Sequence, residues 1–276
     1  MKFCFWSMVE GGKSFMKKTY VRLISRAAVW SPRFGGLAFL ILLFSVLLQR
    51  FSAINVVDFI LLIIISACCV VVSLFLAEKA LYSLWMYGAL GGMKALRGII
   101  YSLITATPLV LFWGFWFAFP ALHDVSTDTQ NPPAFFRTIR PSDALPLKSV
   151  LVEQAALQMS IWPEMSGRRY DGSPDRIRES VLNVLAAYNW PVMAQREFQA
   201  EENELYIQTM AKTFYLGFIS DIVIRLTDEG NTTFVDMRSA SRYLPRDLGT
   251  NAAFIIDFMD ALDTEIASLP LSQDDE

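Results

Sequence analysis

Three stretches of the chain carry no charged residue: 34–48 (FGGLAFLILLFSVLL), 59–77 (FILLIIISACCVVVSLFLA) and 98–122 (GIIYSLITATPLVLFWGFWFAFPAL). The last two approach or exceed the roughly 20 apolar residues that a helix needs to cross a bilayer core at about 1.5 Å of rise each. Both are predicted to be membrane helices. The first reaches that length only if it extends back to Trp30 across Pro32 and Arg33. A tilted span is the favoured reading, with an interfacial helix as the alternative. A signal peptide is disfavoured because no small-residue cleavage site follows Leu48.

Beyond residue 122 the continuous runs give way to short periodicities. Residues 123–135 (HDVSTDTQNPPAF) are rich in Asp, Thr and Pro without a period and read as an extended connector leaving the membrane. Ser173-Pro174-Asp175 is a helix start, with a capping Ser, Pro in the first helical position and an acid where the helix dipole favours one. This helix is expected to reach Asn189, with Ile177, Val181, Val184, Leu185 and Tyr188 as its apolar stripe. Four strands follow at 190–199, 204–214, 218–227 and 232–241, with turn chemistry at Glu201-Glu202-Asn203, Gly217 and Asp228-Glu229-Gly230-Asn231. A closing helix over 252–267 directs Ile255, Phe258, Met259, Leu262 and Ile266 to the sheet. The predicted fold class is a membrane α-helical N-terminal part of about three spans, then an α+β domain with an antiparallel four-strand meander covered by helices on one face.

Alternation sorts the last two strands into faces. Ile222, Ile224 and Leu226, with Val235 and Met237, are expected on the core side, and Asp221, Val223, Arg225, Phe234, Asp236, Arg238 and Arg242 on the other. With Glu229-Gly230 as a two-residue turn, Asp221 lies opposite Arg238, Val223 opposite Asp236 and Arg225 opposite Phe234, and Asp236 is diagonal to Arg225.

Composition and charge add an orientation. Hydrophobic residues make up 54% of the chain and charged residues only 18%, and the mean hydropathy is +0.37, too apolar for an ordinary soluble domain. Lys2, Lys13, Lys17, Lys18, Arg22, Arg26 and Arg33 precede the first span against one acid, Glu10, which is a cytoplasmic signal. The 78–97 loop, with Lys79, Lys94 and Arg97, returns to the same side, so residues 123–276 fall across the membrane. The expected organisation is a basic cytoplasmic tail (1–33), a transmembrane region (34–122) and a periplasmic domain (123–276) in a bacterial inner membrane. Trp113 and Trp116 suit the outer interface. Met16-Lys17-Lys18 resembles a translation start, an alternative to Met1.

The exported part holds 13 Lys and Arg against 24 Asp and Glu, a net of −11 with its histidine neutral, so nucleic acid is an unsuitable partner. Cys4, Cys68 and Cys69 all precede this part, which must fold without disulfides.

The chemical candidates gather at 234–251 (FVDMRSASRYLPRDLGTN). Arg238, Arg242 and Arg246, with Ser239, Ser241 and a closing helix that Asn251 can cap, form a candidate anion site for a phosphate, a carboxylate or a lipid head group. The competing and favoured reading is structural: Asp221, Asp236 and Asp247 neutralise the cluster from within, and with Arg225 they are the candidate ion-pair residues. Ser239 and Ser241 have no obvious base, and His123, the one histidine, belongs to the membrane end of the connector, which argues against a Ser/His/Asp triad. No metal and no cofactor is predicted. Asp124 and Asp128 match the first ligands of an all-oxygen calcium site only loosely and are read as turn caps. Gly11-Gly12 and Gly91-Gly92 lack a phosphate-loop context.

YLGFISDIVIRL and VDMRSASRYLPRDLGTN, with HDVSTDTQNPPAF and RRYDGSPDRI upstream, resemble the domain of unknown function 1499 family of bacterial envelope proteins and plastid relatives. The resemblance covers most of 123–267 and departs from the family's paired acids at Ile219-Ser220-Asp221. It implies an envelope location and no established activity. Two function classes remain. One is a membrane-anchored periplasmic binding or assembly module whose partners are the lipid bilayer and an anionic envelope ligand or membrane protein. The other is a carboxylate-dependent hydrolase or transferase using Asp221 and Asp236.

Overall fold

The structure is a computed structural model and describes residues 23–51, 53–136, 138–147, 152–196 and 203–268. The early basic residues Lys2 to Arg22, Cys4, Gly11-Gly12, Met16 and Glu201-Glu202 lie outside the described residues.

Three long helices open the described chain: α1 (Arg26–Arg50), α2 (Val56–Tyr87) and α3 (Gly92–Ala118). Each is long and apolar enough to cross a membrane. All three begin before the charge-free runs, and α1 and α2 also outlast theirs, because charged residues such as Arg33, Glu78 and Arg97 ride on continuous helical turns. Pro32 is accommodated within α1, which resolves its marginal length. From Asp58 to Glu78 on α2, and from Arg97 to Trp116 on α3, the rise is about 30 Å at roughly 1.5 Å per residue, the thickness of a bilayer core.

Small side chains recur at spacings of three, four and seven on the inner faces: Ala28, Ser31, Gly35 and Ala38 on α1, Ser66, Ser73, Ala77 and Ala80 on α2, and Ala95, Gly98, Ser102 and Thr105 on α3. Leu40, Ile64 and Leu103 point outward instead. Between helices in lipid there is little hydrophobic gain, so close backbone approach decides the packing. A Cβ on Gly98 would overlap Ser31 Oγ and lie 2.9 Å from Ser31 Cβ. Ser73 Oγ donates to Ser31 O (2.8 Å) and accepts from Ser102 Oγ (2.8 Å), and Ser66 Oγ donates to Ala38 O (2.9 Å).

The remaining elements are β1 (Asp124–Ser126), α4 (Val152–Ile161), β2 (Arg168–Asp171), α5 (Pro174–Ala187), β3 (Val192–Arg196), β4 (Glu204–Lys212), β5 (Ile219–Asp228), β6 (Thr232–Ser241) and α6 (Thr250–Ser268). The sheet is antiparallel in the order β1-β6-β5-β4-β3, and β2 shares the outer edge of β6 with β1. The meander β3 to β6 follows the sequence pattern. β1, β2 and α4 are additional; strands of three and four residues are too short to show alternation. The 123–135 stretch is therefore part of the sheet rather than only a connector.

One sheet face carries Ile207, Ile222, Ile224, Leu226, Val235 and Met237, and packs under Ile177, Val181 and Leu185 of α5 and Ile255, Phe258 and Leu262 of α6. Burying such a side chain contributes about 1.5–3 kcal/mol, so this face supplies most of the domain's hydrophobic stabilisation. α5 stops at Ala187 because Asn189 is left-handed (φ 55°), and Trp190 N then donates to Leu185 O (2.9 Å). Trp190 stacks on Tyr188 and Phe258, which closes the gap between α5 and α6.

The β5–β6 register differs from the expected one by two residues. Asp221 pairs with Ala240, Val223 with Arg238 and Arg225 with Asp236. Glu229 N donates to Thr232 O, so Gly230-Asn231 forms the turn. Gly230 has φ 91°, a conformation that the first position of a II′ turn requires and that Glu229 would adopt only with strain. A shift of two preserves the faces, which is why the core assignments hold while the cross-strand partners change.

The opposite face is also covered. The described residues of 128–147 form a strap across it: Phe135 packs with Tyr206, Val223 and Ala240, Phe136 N donates to Gln208 Oε1 (2.7 Å), and Leu145 N donates to Arg242 O (2.7 Å). The domain is docked on one end of the bundle. Phe218 meets Phe59 edge-on (5.8 Å), and Asp247 N donates to Leu122 O (3.1 Å). A Cβ on Gly249 would press 2.7 Å from the Phe119 ring.

Candidate functional site

Beneath the strap lies a row of charged side chains contributed by β5, β6 and the strap itself. Alternation forces this arrangement: the charged residues between core positions on β5 and β6 are Asp221, Arg225, Asp236 and Arg238, and the strap turns their environment from water into protein. Asp221 is fully buried and Asp236 is 1% exposed. Burying an unpaired charge is costly, so each is answered.

The row has three groups. At the bundle end, Arg242 holds Asp221 with Nε and Nη2 (2.9 and 2.6 Å), and Arg140 from the strap donates to the same carboxylate (3.1 Å). In the middle, Arg238 forms a bidentate pair with Asp124 of β1 (2.8 and 2.7 Å) and donates to Pro133 O (3.2 Å). At the far end, Arg225 bridges Asp236 (2.8 Å) and Asp128 (3.0 Å), with Glu204 at 3.7 Å. The expected Asp221 to Arg238 pair is thus replaced by Asp221 to Arg242 and Arg238 to Asp124. The Asp236 and Arg225 pairing is present, as direct rather than diagonal neighbours.

Burial pushes the Asp236 carboxyl above its ordinary value, and the bonds from Arg225 and Thr127 only partly offset it. Burial also acts on Asp128, but the amides of Asn131 and Gln130 together with Arg225 outweigh it and hold that carboxyl low. Burial lowers the Arg225 pKa, yet Asp236, Glu204 and Asp128 together raise it above the ordinary value.

The candidate anion residues are divided between this row and the start of α6. Arg238 and Arg242 belong to the row. Arg246 lies over the Trp116 ring at the end of α3 and donates to its carbonyl. Ser239 Oγ donates to Asn251 Oδ1 (2.8 Å), and Asn251 Nδ2 donates to Ser241 Oγ (3.1 Å) and His123 O (2.9 Å), which ties α6 to the end of β6. The expected cap is corrected: Asp247 rather than Asn251 receives the amides at the start of α6, from Gly249 N just before the helix (3.1 Å) and Asn251 N in its first turn (2.8 Å). The anion-binding end of the helix is already occupied by the chain's own carboxylate. Burial raises the Asp247 pKa and these amides pull against it. Its partners are these backbone amides and the Asn251 side chain, so the expected ion-pair role becomes a capping one.

Asp221 and Asp236 are separated by four positions along the paired strands, about 13 Å at roughly 3.3 Å per residue. Carboxylate pairs that cleave a glycosidic bond stand about 5–9.5 Å apart, and the pair that shares a proton in aspartic proteases stands about 3 Å apart. Asp128 caps the turn at Gln130 and Asn131 (2.9 Å each) as expected, and Asp124 is the ion-pair partner of Arg238. Among the described residues no group of three or more His, Cys, Asp or Glu is placed to hold a metal ion. Arg140, Asp124, Asp128 and Gln208 are contributors that periodicity missed. Arg140 and Asp128 lie in an aperiodic Pro-containing segment whose path over the sheet has no local signal.

A two-faced antiparallel sheet with an internally neutralised charged layer, rooted directly on three membrane-length helices, is compatible with a membrane-associated α+β protein. The chain belongs to the family described as Protein of unknown function (DUF1499), whose sequence pattern matches residues 124–262, from the first residue of β1 into α6. No curated protein matches the chain.

Proposed function

We propose that this chain is a membrane-anchored periplasmic binding or assembly module of the bacterial cell envelope, acting through its outer surface. The observation that carries this reading is the mutual engagement of the sheet-face charges. Asp221 and Asp236, the carboxylates available to a hydrolase, are each held by arginine and too far apart to act on one bond. Arg238 and Arg242, the candidate anion donors, are bidentate to carboxylates of the same chain. What remains for interaction is the surface of the domain, which the bundle holds at the membrane.

The excess of Lys and Arg before α1, and Lys79, Lys94 and Arg97 at the α2–α3 end, supports a cytoplasmic N-terminus and a periplasmic domain. Alkaline phosphatase fused after residue 276 is expected to be active. An inactive fusion alongside an active cytoplasmic reporter at the same position rejects the topology. For the choice between module and enzyme, Asp236→Asn should retain cellular function wherever it accumulates folded. A variant folded to wild-type levels but without function favours the carboxylate-dependent reading.

A further inference from the structure

The β4–β5 loop, Thr213 to Phe218, carries two adjacent aromatic side chains almost wholly outside the protein: Phe214 is 79% exposed and Tyr215 80%. Their rings meet edge to face at 5.1 Å. The loop that displays them is tightly bonded. Thr213 N donates to Phe218 O (2.9 Å), Gly217 N to Thr213 O (3.0 Å) and Phe218 N to Thr213 Oγ1 (2.9 Å). Such a loop holds the aromatics out; they are not folded back onto the domain.

Its location explains that display. Gly217, at φ 67°, packs so closely on the end of α1 that a Cβ there would lie 2.9 Å from Arg50 O. Phe218 contacts Phe59, one residue past Asp58 on α2. Arg50 and Asp58 are the first charged residues beyond the apolar stretches of α1 and α2, and so mark the level where hydrocarbon gives way to head groups. Phe51, beside Arg50, is likewise 77% exposed. Exposed Lys212 and Arg50 flank the aromatic pair. Aromatic rings bordered by basic side chains suit this interface, where one end of a ring is apolar and the other wet.

We propose that the β4–β5 loop is a second membrane-contact site, with Phe214 and Tyr215 inserted among the head groups and upper acyl chains of the bilayer that α1 to α3 cross. The occupant is lipid. The proposal rests on the spanning reading of the helices, but not on which compartment receives the domain. Together with Arg246 on Trp116, the loop gives the domain two points of support and fixes its tilt.

The test is collision accessibility of a nitroxide label in full-length protein at one copy per nanodisc. Phe214→Cys and, separately, Tyr215→Cys are made in a chain with Cys4, Cys68 and Cys69 replaced by Ser. Two references bracket them: native Cys68, exposed midway between Asp58 and Glu78, and Asn231→Cys at the exposed tip of the β5–β6 hairpin. Labels at 214 and 215 should collide with oxygen more, and with a water-soluble nickel chelate severalfold less, than the label at 231. Nickel accessibility at 214 and 215 equal to that at 231 overturns the proposal, and because each disc holds one copy, low accessibility there cannot come from protection by a second copy. If Cys68 itself proves open to nickel, the spanning reading fails and the loop proposal with it.

Discussion

The membrane bundle and the strap-covered sheet face both keep polar groups from water, by opposite means. In the bundle the buried polar side chains are mostly hydroxyls, the amide of Gln49 apart, and Ser66, Ser73 and Ser102 are satisfied by a carbonyl or another hydroxyl one helix away. On the sheet face they are chiefly full charges, satisfied by opposite charges as far as 114 residues apart in sequence. The difference follows from the backbone. A membrane helix already satisfies its own N–H and C=O groups, so its neighbours need only approach closely, and small side chains permit that. A sheet face covered by an aperiodic strap has no such internal repeat, and charged pairs supply the missing specification of where the strap lies.

The comparison predicts unequal sensitivity. Asp221→Ala leaves Arg140 and Arg242 buried without their shared carboxylate and should cost about 3–5 kcal/mol of domain stability. A thermal melt of the full chain in detergent that loses less than 1 kcal/mol would mean the face is not sealed. Gly98→Leu drives a side chain into Ser31 and should cost the bundle about 1–3 kcal/mol or more, read as loss of helix–helix contacts by cross-linking between α1 and α3. Retained cross-linking at wild-type yield contradicts the packing described. Ser73→Ala removes one donor from the bundle and should cost only about 0.6 kcal/mol, since hydroxyl bonds between membrane helices are individually weak. A loss as large as that of Asp221→Ala would erase the distinction between the two regions.

The smallest expected effect is a pH dependence at the cap of α6. Burial raises the folded pKa of Asp247, so the folded state keeps this proton at pH values where the unfolded chain has lost it. The resulting stability is fully present below the ordinary carboxylate pKa of about 3.9 and is lost as pH rises through the folded value. Asp247→Asn lacks this contribution. The melting-temperature advantage of wild type over Asp247→Asn should therefore grow as pH falls from 7 toward 4, and a constant or shrinking difference would show that the carboxyl is not raised.

Legibility in the sequence tracked the range of the interaction. The faces of β5 and β6 and the stripes of α5 and α6 could be read from spacing, because alternation and helical period are local. The hairpin register could not, because it turned on which residue accepts positive φ, and Gly230 won over Glu229. The residues of the candidate anion cluster are divided between the end of β6 and the start of α6, and their partners differ from the expected ones. Arg238 finds Asp124 through β1, a strand too short to announce itself, and Arg242 shares Asp221 with Arg140 of the strap.

The sequence by itself determined three apolar helices, a net-acidic α+β domain and the side of each strand that turns to the core, since these depend only on composition and on periods of 3.6 and 2 residues. Tertiary structure alone decided that the polar face is buried, which carboxylate answers each arginine, and that Asp247 rather than a bound anion caps α6. Those outcomes depend on where the 128–147 strap and β1 return to the sheet, and an aperiodic segment carries no local record of its destination.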